Sequence, residues 1–429
     1  MSRRDLGSHL TMAKHRGAVA SLVLAVAATV AAGGANAESV LIRNATVHTM
    51  TTAGTLKGTD VLVTDGVVTD IGTSLSASGA QVIDAKGQPL TPGLFGGMTH
   101  VGIEEVLDPT TEDQALEMNE MRPEFDVMKA FNPESSTLGV ARIGGITFAA
   151  IIPGTDEKST IVAGEGAIVR LDGGTTKSRI LFVELGSDAN EISGGTRAAQ
   201  FMLLRQAILE ARNQAAIAEG DERLLTPLGR KVLREFIDGA GVILFDVDRA
   251  ADIRQVLAFA QAEKLKIAIA GAAEGWRVAA ELAAAKVPVF VDPFENLPDS
   301  FDSIGSTLEN AARLHKAGVQ VGFTMGSTEP HNIRKQRQTA GNAVAHGLPW
   351  DAALAAITRV PAEVFAVADR VGTIEKGRRA DLVLWSGDPL EVTSLAEQVF
   401  IDGKLQSPRS RQTELRDRYL ERIRSNTAR

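Results

Sequence analysis

The sequence predicts an α/β protein, a (β/α)8 barrel that carries a small β domain assembled from both ends of the chain. Two observations support this fold class. Short apolar runs alternate with helical stretches between residues 145 and 345, which is typical of βαβ units around a parallel sheet. Asp-Gly pairs between apolar residues, at 65–66 and 402–403, predict a β-hairpin near each end of the chain. The length of the alternating region fits a barrel better than an open sheet.

The composition excludes several classes of protein. The chain has 429 residues, with 45 basic and 53 acidic side chains and a formal net charge of −8. This balance argues against nucleic-acid binding, which needs a basic surface. The absence of Cys excludes a disulfide scaffold, a thiolate zinc site and a Cys nucleophile.

Residues 1–37 are predicted to be a signal peptide. Four basic side chains precede an uncharged, Ala-rich run at 17–37, which ends in the small-x-small triplet Ala35-Asn36-Ala37. The mature chain would then be Glu38–Arg429, periplasmic or secreted, with no membrane anchor after cleavage. A permanent anchor fits less well because the apolar run is short and is followed by Gly33-Gly34. The sequence leaves the export route open between Sec and twin-arginine. It also leaves open whether translation starts at Met1 or Met12.

The mature chain is divided by its patterns into four segments. Residues 38–90 and 370–407 are rich in short strands and form the two parts of the β domain, while residues 91–369 form the barrel. Residues 408–429 are a charged C-terminal helix or tail, in which Leu415, Tyr419 and Ile423 recur at helical spacing. This helix either packs on its own domain or contacts another protein.

The barrel segment has six apolar runs that predict strands and six stretches that predict helices. The predicted strands are Gly145–Pro153, Ile180–Gly186, Gly241–Val247, Lys266–Ala270, Val287–Asp292 and Val319–Met325. The predicted helices are Thr196–Ala218, Leu225–Ile237, Ala250–Glu263, Trp276–Ala285, Leu308–Ala317 and Asn332–Ala345. Gly164-Glu165-Gly166 is predicted to be a turn, and Glu104 is predicted to lie in a solvated loop.

Two motifs that bracket the predicted barrel resemble the amidohydrolase superfamily. The first is VIDAKG at 82–87 followed by LTPGL at 90–94, and the second is VGTIEKG at 371–377 followed by ADLVLW at 380–385 and GDP at 387–389. The resemblance covers nearly all of the mature chain and is strongest to the imidazolonepropionase-like branch. It implies a TIM-like barrel with a small β-sandwich domain formed from both chain ends. It also implies a metal-dependent hydrolase of non-peptide C–N bonds in amides or cyclic amides.

The same resemblance implies metal ligands at the C-terminal ends of the barrel strands. The His-x-His pair of the first strand is here Met98-Thr99-His100, so His100 alone is retained there. Asp246 or Asp248 replaces the imidazole of a middle strand, Ala270 replaces the next His, and Gly326 replaces the late Asp. A thioether is a poor zinc ligand. The predicted cofactor is therefore none or, if any, a weakly bound divalent metal.

Three functional hypotheses follow from these substitutions. The chain is a weakly active or non-catalytic relative of the hydrolases, or it is an enzyme with a rebuilt, carboxylate-rich metal site. In the third hypothesis it is a binding or assembly protein that forms a homo- or hetero-oligomer, for example with an intact homologue. A small-molecule ligand is expected in each enzymatic case, and no nucleic acid in any.

Asp246 and Asp248 are the candidate catalytic residues. They are two positions apart near the end of one predicted strand, so both side chains can face the pocket. Together with His100, Glu184 or Glu274 they could hold a hard ion such as Mg²⁺, Mn²⁺ or Ca²⁺. The alternative is that the two Asp residues cap a helix and fix a loop.

Glu274 and His331 are the candidate substrate-binding residues, because both follow predicted strands of the barrel. For His331 the alternative is a cap on the helix that begins at Asn332.

Overall fold

The structure is a computed structural model, and it describes residues 39–105, 113–213, 223–298, 300–325 and 330–427. The predicted signal peptide and Gly326 lie outside the described residues. Across the described ranges, no helix is long and apolar enough to cross a membrane.

Strands from both ends of the chain form one sheet. In the described residues this sheet has eight strands in the order β16-β15-β14-β5-β1-β2-β3, with β4 paired to β1. The early strand β5 lies beside the late strand β14, and the two run antiparallel. The strands are β1 (Ser39–His48), β2 (Thr55–Thr64), β3 (Val67–Gly72), β4 (Gln81–Asp84), β5 (Pro89–Pro92), β14 (Leu382–Trp385), β15 (Ala396–Ile401) and β16 (Lys404–Leu405).

Both predicted Asp-Gly hairpins are confirmed. Asp65 and Gly66 join β2 to β3 with φ values of 51° and 77°, and Asp402 and Gly403 join β15 to β16 with 53° and 70°. Two successive residues at positive φ are the mark of the type I′ turn that Asp-Gly favours. The two turns also touch, because a Cβ atom on Gly66 would lie 2.7 Å from the carbonyl oxygen of Asp402.

The second sheet forms a nearly closed barrel. Its eight described strands follow one another in chain order from β6 to β13. The Met98 amide on the first strand donates to the Thr324 hydroxyl just after the last strand, at 3.2 Å, which links the two edges. The strands are β6 (Leu94–Thr99), β7 (Ile146–Ile151), β8 (Val162–Arg170), β9 (Ile180–Glu184), β10 (Val242–Val247), β11 (Ile267–Gly271), β12 (Val289–Val291) and β13 (Val321–Phe323). A barrel with a second β domain confirms the predicted fold class.

Strand β8 departs from the predicted parallel pattern. It runs antiparallel to both β7 and β9, whereas the other neighbouring strands of this sheet are parallel. The predicted turn at Gly164-Glu165-Gly166 is wrong, since all three residues lie inside β8. Glycine is needed at Gly166 because a side chain there would collide with the carbonyl oxygen of Ile151 on β7.

Helices follow the parallel strands as the sequence predicts. Two of them begin at threonine caps: the hydroxyls of Thr196 and Thr226 accept amide hydrogens from Ala199 and Gly229. The predicted helix at 196–218 is described as far as Arg212, and residues 214–222 lie outside the described ranges. The helices are α1 (Ser136–Ile143), α2 (Arg197–Arg212), α3 (Pro227–Ile237), α4 (Ala250–Glu263), α5 (Ala279–Ala285), α6 (Asn310–Lys316), α7 (Gln336–Ala345), α8 (Trp350–Ala356), α9 (Arg359–Val364) and α10 (Arg411–Thr427).

The interior of the barrel is a packed aromatic core. Phe95, Phe148, Phe290 and Phe365 are fully buried or nearly so, and their ring centroids lie 5.1–6.3 Å apart in successive pairs. Aromatic pairs at these distances add to the free energy gained by burial. The barrel is therefore filled below its mouth, and chemistry is confined to the side chains at the C-terminal ends of its strands.

Candidate ligand-binding site at the barrel mouth

Alternation along the strands decides which side chains face into the barrel. On β10, Val242 and Leu244 belong to the inner core, so Asp246 at the next position of the same parity also faces inward. On β9, Ile180 and Phe182 belong to the same core and Glu184 continues their face. Glu184 and Asp246 are register partners in neighbouring strands. The structure therefore brings these two carboxylates together at the mouth.

Asp248 lies beside Asp246, at the point where β11 ends. A Cβ atom on Gly271 would lie 2.5 Å from Asp248 Oδ1 and 2.9 Å from Asp246 Oδ1, so one glycine touches both carboxylates. Asp248 Oδ1 also accepts a hydrogen bond from the Ala273 amide at 3.1 Å. The loop-fixing role considered for Asp248 is therefore present, and its carboxylate still lies next to that of Asp246.

The carboxylates at the mouth hold their protons unusually well. Burial raises the pKa of Asp246 to about 8, and the negative charges of Asp248 and Glu184 add to the shift. Burial, with a contribution from Asp188, raises the pKa of Glu184 to about 7. Desolvation and like charge both favour the neutral acid. Acidic side chains thus repel one another at this site.

His100 follows β6 at the same end of the barrel and is 7% exposed. Its Nδ1 lies 3.6 Å from Oε2 of Glu104, and within the described ranges its buried Nε2 has no hydrogen-bond partner. Burial lowers the pKa of the imidazole to about 4, so the ring is neutral near pH 7. The prediction that Glu104 lies in a solvated loop is wrong, because Glu104 is 6% exposed and its carboxylate packs against the His100 ring.

The loop after β7 connects His100 to the carboxylates. A Cβ atom on Gly154 would lie 3.6 Å from His100 Nε2. The next residue, Thr155, donates its hydroxyl hydrogen to Oε2 of Glu184. Sequence reasoning did not identify Thr155, since a lone Thr after a strand carries no motif.

Met98 and Ala270 are buried, at 4% and 1% exposure, in the inner core that also contains Phe95 and Phe290. Ala270 is the register partner of Asp246 and has no side-chain donor to offer a metal. Met98 offers a thioether, which zinc does not favour. Two of the positions that the sequence marks as substituted therefore contribute apolar packing to the barrel core.

Glu274 performs a structural task in the fold. Its Oε2 accepts the amide hydrogen of Ala250 at 3.1 Å, where α4 begins, and its Oε1 accepts that of Gly305 at 3.0 Å. Arg277 pairs with the same carboxylate at 3.1 Å. A carboxylate at a helix start is favoured by the helix dipole. With both oxygens engaged, Glu274 supports α4 and a mouth loop.

His331 is exposed and precedes a short 3₁₀ helix at Ile333–Lys335. It follows β13, as the sequence predicts, and stands just after residues 326–329, which lie outside the described residues. The substrate-binding role of His331 stays a prediction.

The chain is similar to proteins described as amidohydrolases. Residues 237–406 match the amidohydrolase family model. A crystal structure of an amidohydrolase from Thermotoga maritima MSB8 is similar with a TM-score of 0.76 and 26% identity, over 86% of this chain and 100% of that one. Residues 237–406 are thus similar to the amidohydrolase family, and the chain shares the fold of a solved amidohydrolase.

The chain is also similar in sequence to curated proteins. Amidohydrolase tasK of Hapsidospora irregularis is 22% identical over 392 residues, which are 81% of this chain and 40% of that protein. The chain therefore spans well under half the length of this relative. A 5-methylthioadenosine/S-adenosylhomocysteine deaminase of Desulforudis audaxviator is 36% identical over 97 residues, 20% of this chain and 23% of that protein.

The described residues at the mouth, which do not include 326–329, do not fit a zinc centre of the kind that the resemblance implies. Such a centre needs several imidazoles that converge with a carboxylate. Among the described residues, no three His, Asp or Glu side chains are arranged to hold a metal ion. Among the described residues, His100 directly follows a barrel strand, whereas Glu184 and Asp246 end the inner faces of β9 and β10, and Met98 and Ala270 lie in the core.

Proposed function

We propose that this chain is an exported relative of the amidohydrolases that lacks the usual metal centre and is weakly active or non-catalytic. The hydrolysis of non-peptide C–N bonds in amides or cyclic amides, which the resemblance implies, would then be vestigial. The motifs at residues 82–94 and 371–389 support a relationship to the imidazolonepropionase-like branch. One observation carries the proposal: Ala270, at a ligand position, is the inward-facing register partner of Asp246 and is buried in the core.

The reason is chemical. A metal-bound water attacks a carbonyl only where the ion lowers the pKa of that water and polarises the carbonyl oxygen. At this mouth, the raised pKa values of Asp246 and Glu184 belong to carboxylates that repel one another. One neutral imidazole and clustered acids do not reproduce the donor set that holds zinc tightly.

A second candidate function is an enzyme with a rebuilt, carboxylate-rich metal site. The adjacency of Glu184 and Asp246 on neighbouring strands favours it, because oxygen ligands suit Mg²⁺, Mn²⁺ or Ca²⁺. The same test separates the two candidates.

The test is elemental analysis of the mature protein purified without chelator, combined with turnover of amide and cyclic amide substrates. We expect far less than one equivalent of zinc and no turnover above the blank, before or after addition of Zn²⁺, Mn²⁺ or Mg²⁺. An intact metalloenzyme assayed in parallel controls for the assay. About one equivalent of tightly held zinc, with activity lost in His100→Ala and on chelation, would overturn the proposal. Turnover that appears only with Mn²⁺ or Mg²⁺ and disappears in Asp246→Asn would favour the second candidate.

A further inference from the structure

We propose that this chain forms a dimer in which the C-terminal helix α10 of each copy covers an apolar patch at the barrel mouth of the other copy. The patch consists of four exposed side chains, Phe294, Leu297, Phe301 and Ile304, which we call the mouth patch. The inference goes beyond the proposed function, and it does not depend on whether the mouth holds a metal ion.

Helix α10 is exposed along most of its length. Ser410, which precedes it, is 7% exposed, and the helix lies next to α1. From Glu414 to Arg424, however, all the side chains are exposed. In proteins, most of the stability of a helix comes from packing of an apolar face against other elements. Within the described chain, this 17-residue helix lacks that packing over most of its length.

One face of α10 is an apolar stripe. Leu415, Tyr419 and Ile423 recur every four residues, and Tyr419 and Ile423 are more than half exposed. Arg418 and Arg422 each come three residues after a member of the stripe, so they border it. The Arg422 guanidinium lies 5.9 Å from the centre of the Tyr419 ring. The stripe is therefore an apolar surface with a basic border.

The mouth patch lies in the loop that follows β12 at the C-terminal end of the barrel. The exposed fractions of its side chains range from 45% for Phe294 to 87% for Phe301. The loop itself is fixed: the Gly305 amide donates to Oε1 of Glu274 at 3.0 Å, and Trp276 Nε1 donates to the Gly305 carbonyl oxygen at 2.8 Å. A fixed loop loses little conformational entropy when a partner binds to it.

The charges of the two surfaces are complementary. Residues 408–429, which contain α10, have seven Arg and three acidic side chains, whereas residues 38–407 have 34 basic and 49 acidic side chains. Ion pairs inside either segment leave its net charge, +4 or −15, unchanged, because each pair contains one charge of each sign. Residues 292–306, around the mouth patch, include four acidic side chains and no basic one. An apolar stripe with a basic border thus fits an apolar patch in an acidic chain segment.

A second copy of this chain is the partner that these observations favour. Each copy carries both surfaces, so reciprocal exchange of α10 about a two-fold axis covers both patches and closes the assembly. Pairing of α10 with α10 would instead bring together two segments of net charge +4, which repel each other. An anionic membrane would attract α10 but repel the acidic remainder of the chain.

The absence of Cys from the chain allows a direct test by thiol cross-linking. Mature protein with Tyr419→Cys is mixed with differently tagged protein that carries Phe301→Cys, and a short bismaleimide is added. We expect the mixed pair to cross-link at least about tenfold more than either variant does with itself, because docking raises the effective concentration of the two thiols. Met202→Cys, at an exposed apolar position on α2, replaces Phe301→Cys as the matched control and should not cross-link above the level of random collision.

Sedimentation equilibrium of the mature protein measures the dissociation constant of the dimer. Tyr419→Glu and Phe301→Glu should each raise this constant at least about tenfold, since each replaces an aromatic side chain at the centre of the contact by a charge. Met202→Glu should leave it unchanged. Melting curves of all variants establish that they are folded.

Four outcomes would overturn the inference. The first is a wild-type protein that stays monomeric, and the second is a Tyr419→Cys protein that cross-links with itself as well as with Phe301→Cys, which would assign the contact to paired α10 helices. The third is a bismaleimide link within single chains that carry both Tyr419→Cys and Phe301→Cys, since α10 would then cover its own mouth. The fourth is a monomer that sediments with phosphatidylglycerol vesicles and loses this binding in Tyr419→Glu. None of these outcomes changes the zinc content or the turnover, so the proposed function is tested separately.

Discussion

Asp246 is a carboxylate held on the inner face of β10, with Glu184 beside it on β9 and Asp248 two positions further on. Its inward orientation follows from strand parity, so the sequence predicted it together with that of Asp248. The degree of desolvation follows from the neighbouring strands, and no spacing in the sequence encodes it. Ala270, its register partner on β11, and Met98 both belong to the buried apolar core of the barrel.

Replacement of Asp246 by Asn should stabilise the protein in a pH-dependent way. The pKa of Asp246 is raised to about 8 in the fold, against about 4 in an unfolded chain. The folded state therefore binds more protons between these pH values, and the free energy of unfolding falls as the pH rises through them. Asp246→Asn removes this pH-dependent loss. We expect the free energy of unfolding of the variant to exceed that of the wild type by about 1–3 kcal/mol at pH 8 and to be almost equal to it at pH 4.

Urea unfolding at a series of pH values measures this difference. Glu309→Gln is the matched control, because its carboxylate is exposed, and its stability should follow that of the wild type at every pH. If the difference in the free energy of unfolding between Asp246→Asn and the wild type does not grow between pH 4 and pH 8, the pKa of Asp246 is not raised as described.

The turns of the two Asp-Gly hairpins are in contact with each other. Each could be predicted alone from its sequence, yet their contact joins residues that are more than 330 positions apart. Gly403 approaches the same place from the other side, since a Cβ atom there would lie 3.0 Å from Gly66 Cα. The contact joins the N-terminal β2–β3 hairpin to the C-terminal β15–β16 hairpin within one sheet.

Gly66→Ala should therefore lower the free energy of unfolding more than a Gly→Ala replacement at another residue with positive φ that has no close neighbour. Gly66 has a φ of 77° and a close neighbour in the Asp402 carbonyl, whereas Gly377 has a φ of 86° and open space around it. We expect Gly377→Ala to lower the free energy of unfolding by about 1 kcal/mol and Gly66→Ala by about 2–4 kcal/mol. Urea denaturation compares the two variants, and equal losses would show that the turns do not press on each other.

Strand β8 illustrates the limit of pattern reasoning for an element. Two glycines that flank a glutamate are typical of a turn, and here they form part of a nine-residue strand. Only the approach of β7 on one side explains why Gly166 is required. Close backbone approach and chain reversal both select glycine, so sequence alone does not distinguish them.

At the scale of the whole molecule, an ionic cluster joins the barrel to the β domain. Arg170, at the end of β8, lies 2.7 Å from Asp402, 3.1 Å from Asp172 and 3.7 Å from Asp381. Asp381 is 2% exposed, and burial raises its pKa to about 6 even though Arg170 lowers it. Arg170 thus provides a cation 3.7 Å from this buried carboxylate and offsets part of the cost of its burial.

Arg170→Ala should destabilise the whole molecule, because it leaves Asp381 buried without its cation. Removal of one partner from a buried ion pair typically costs about 3–5 kcal/mol. Arg234→Ala, which breaks an exposed pair with Asp238 on α3, should cost less than about 1 kcal/mol. Urea unfolding monitored by tryptophan fluorescence and by circular dichroism measures both, and similar losses for the two variants would mean that the cluster does not hold the domains together.

The sequence by itself determined six of the eight described barrel strands, the helices that follow most of them, the two hairpins, and the inward parity of Asp246. These features depend on periodicity and turn chemistry, which are local properties of the chain. The tertiary structure decided which groups became neighbours: Glu184 with Asp246, Thr155 with Glu184, and the reversed course of β8. It also assigned Glu274 to the start of α4. Such choices depend on which distant segments meet in a closed barrel, and the spacing of residues along the chain does not record that.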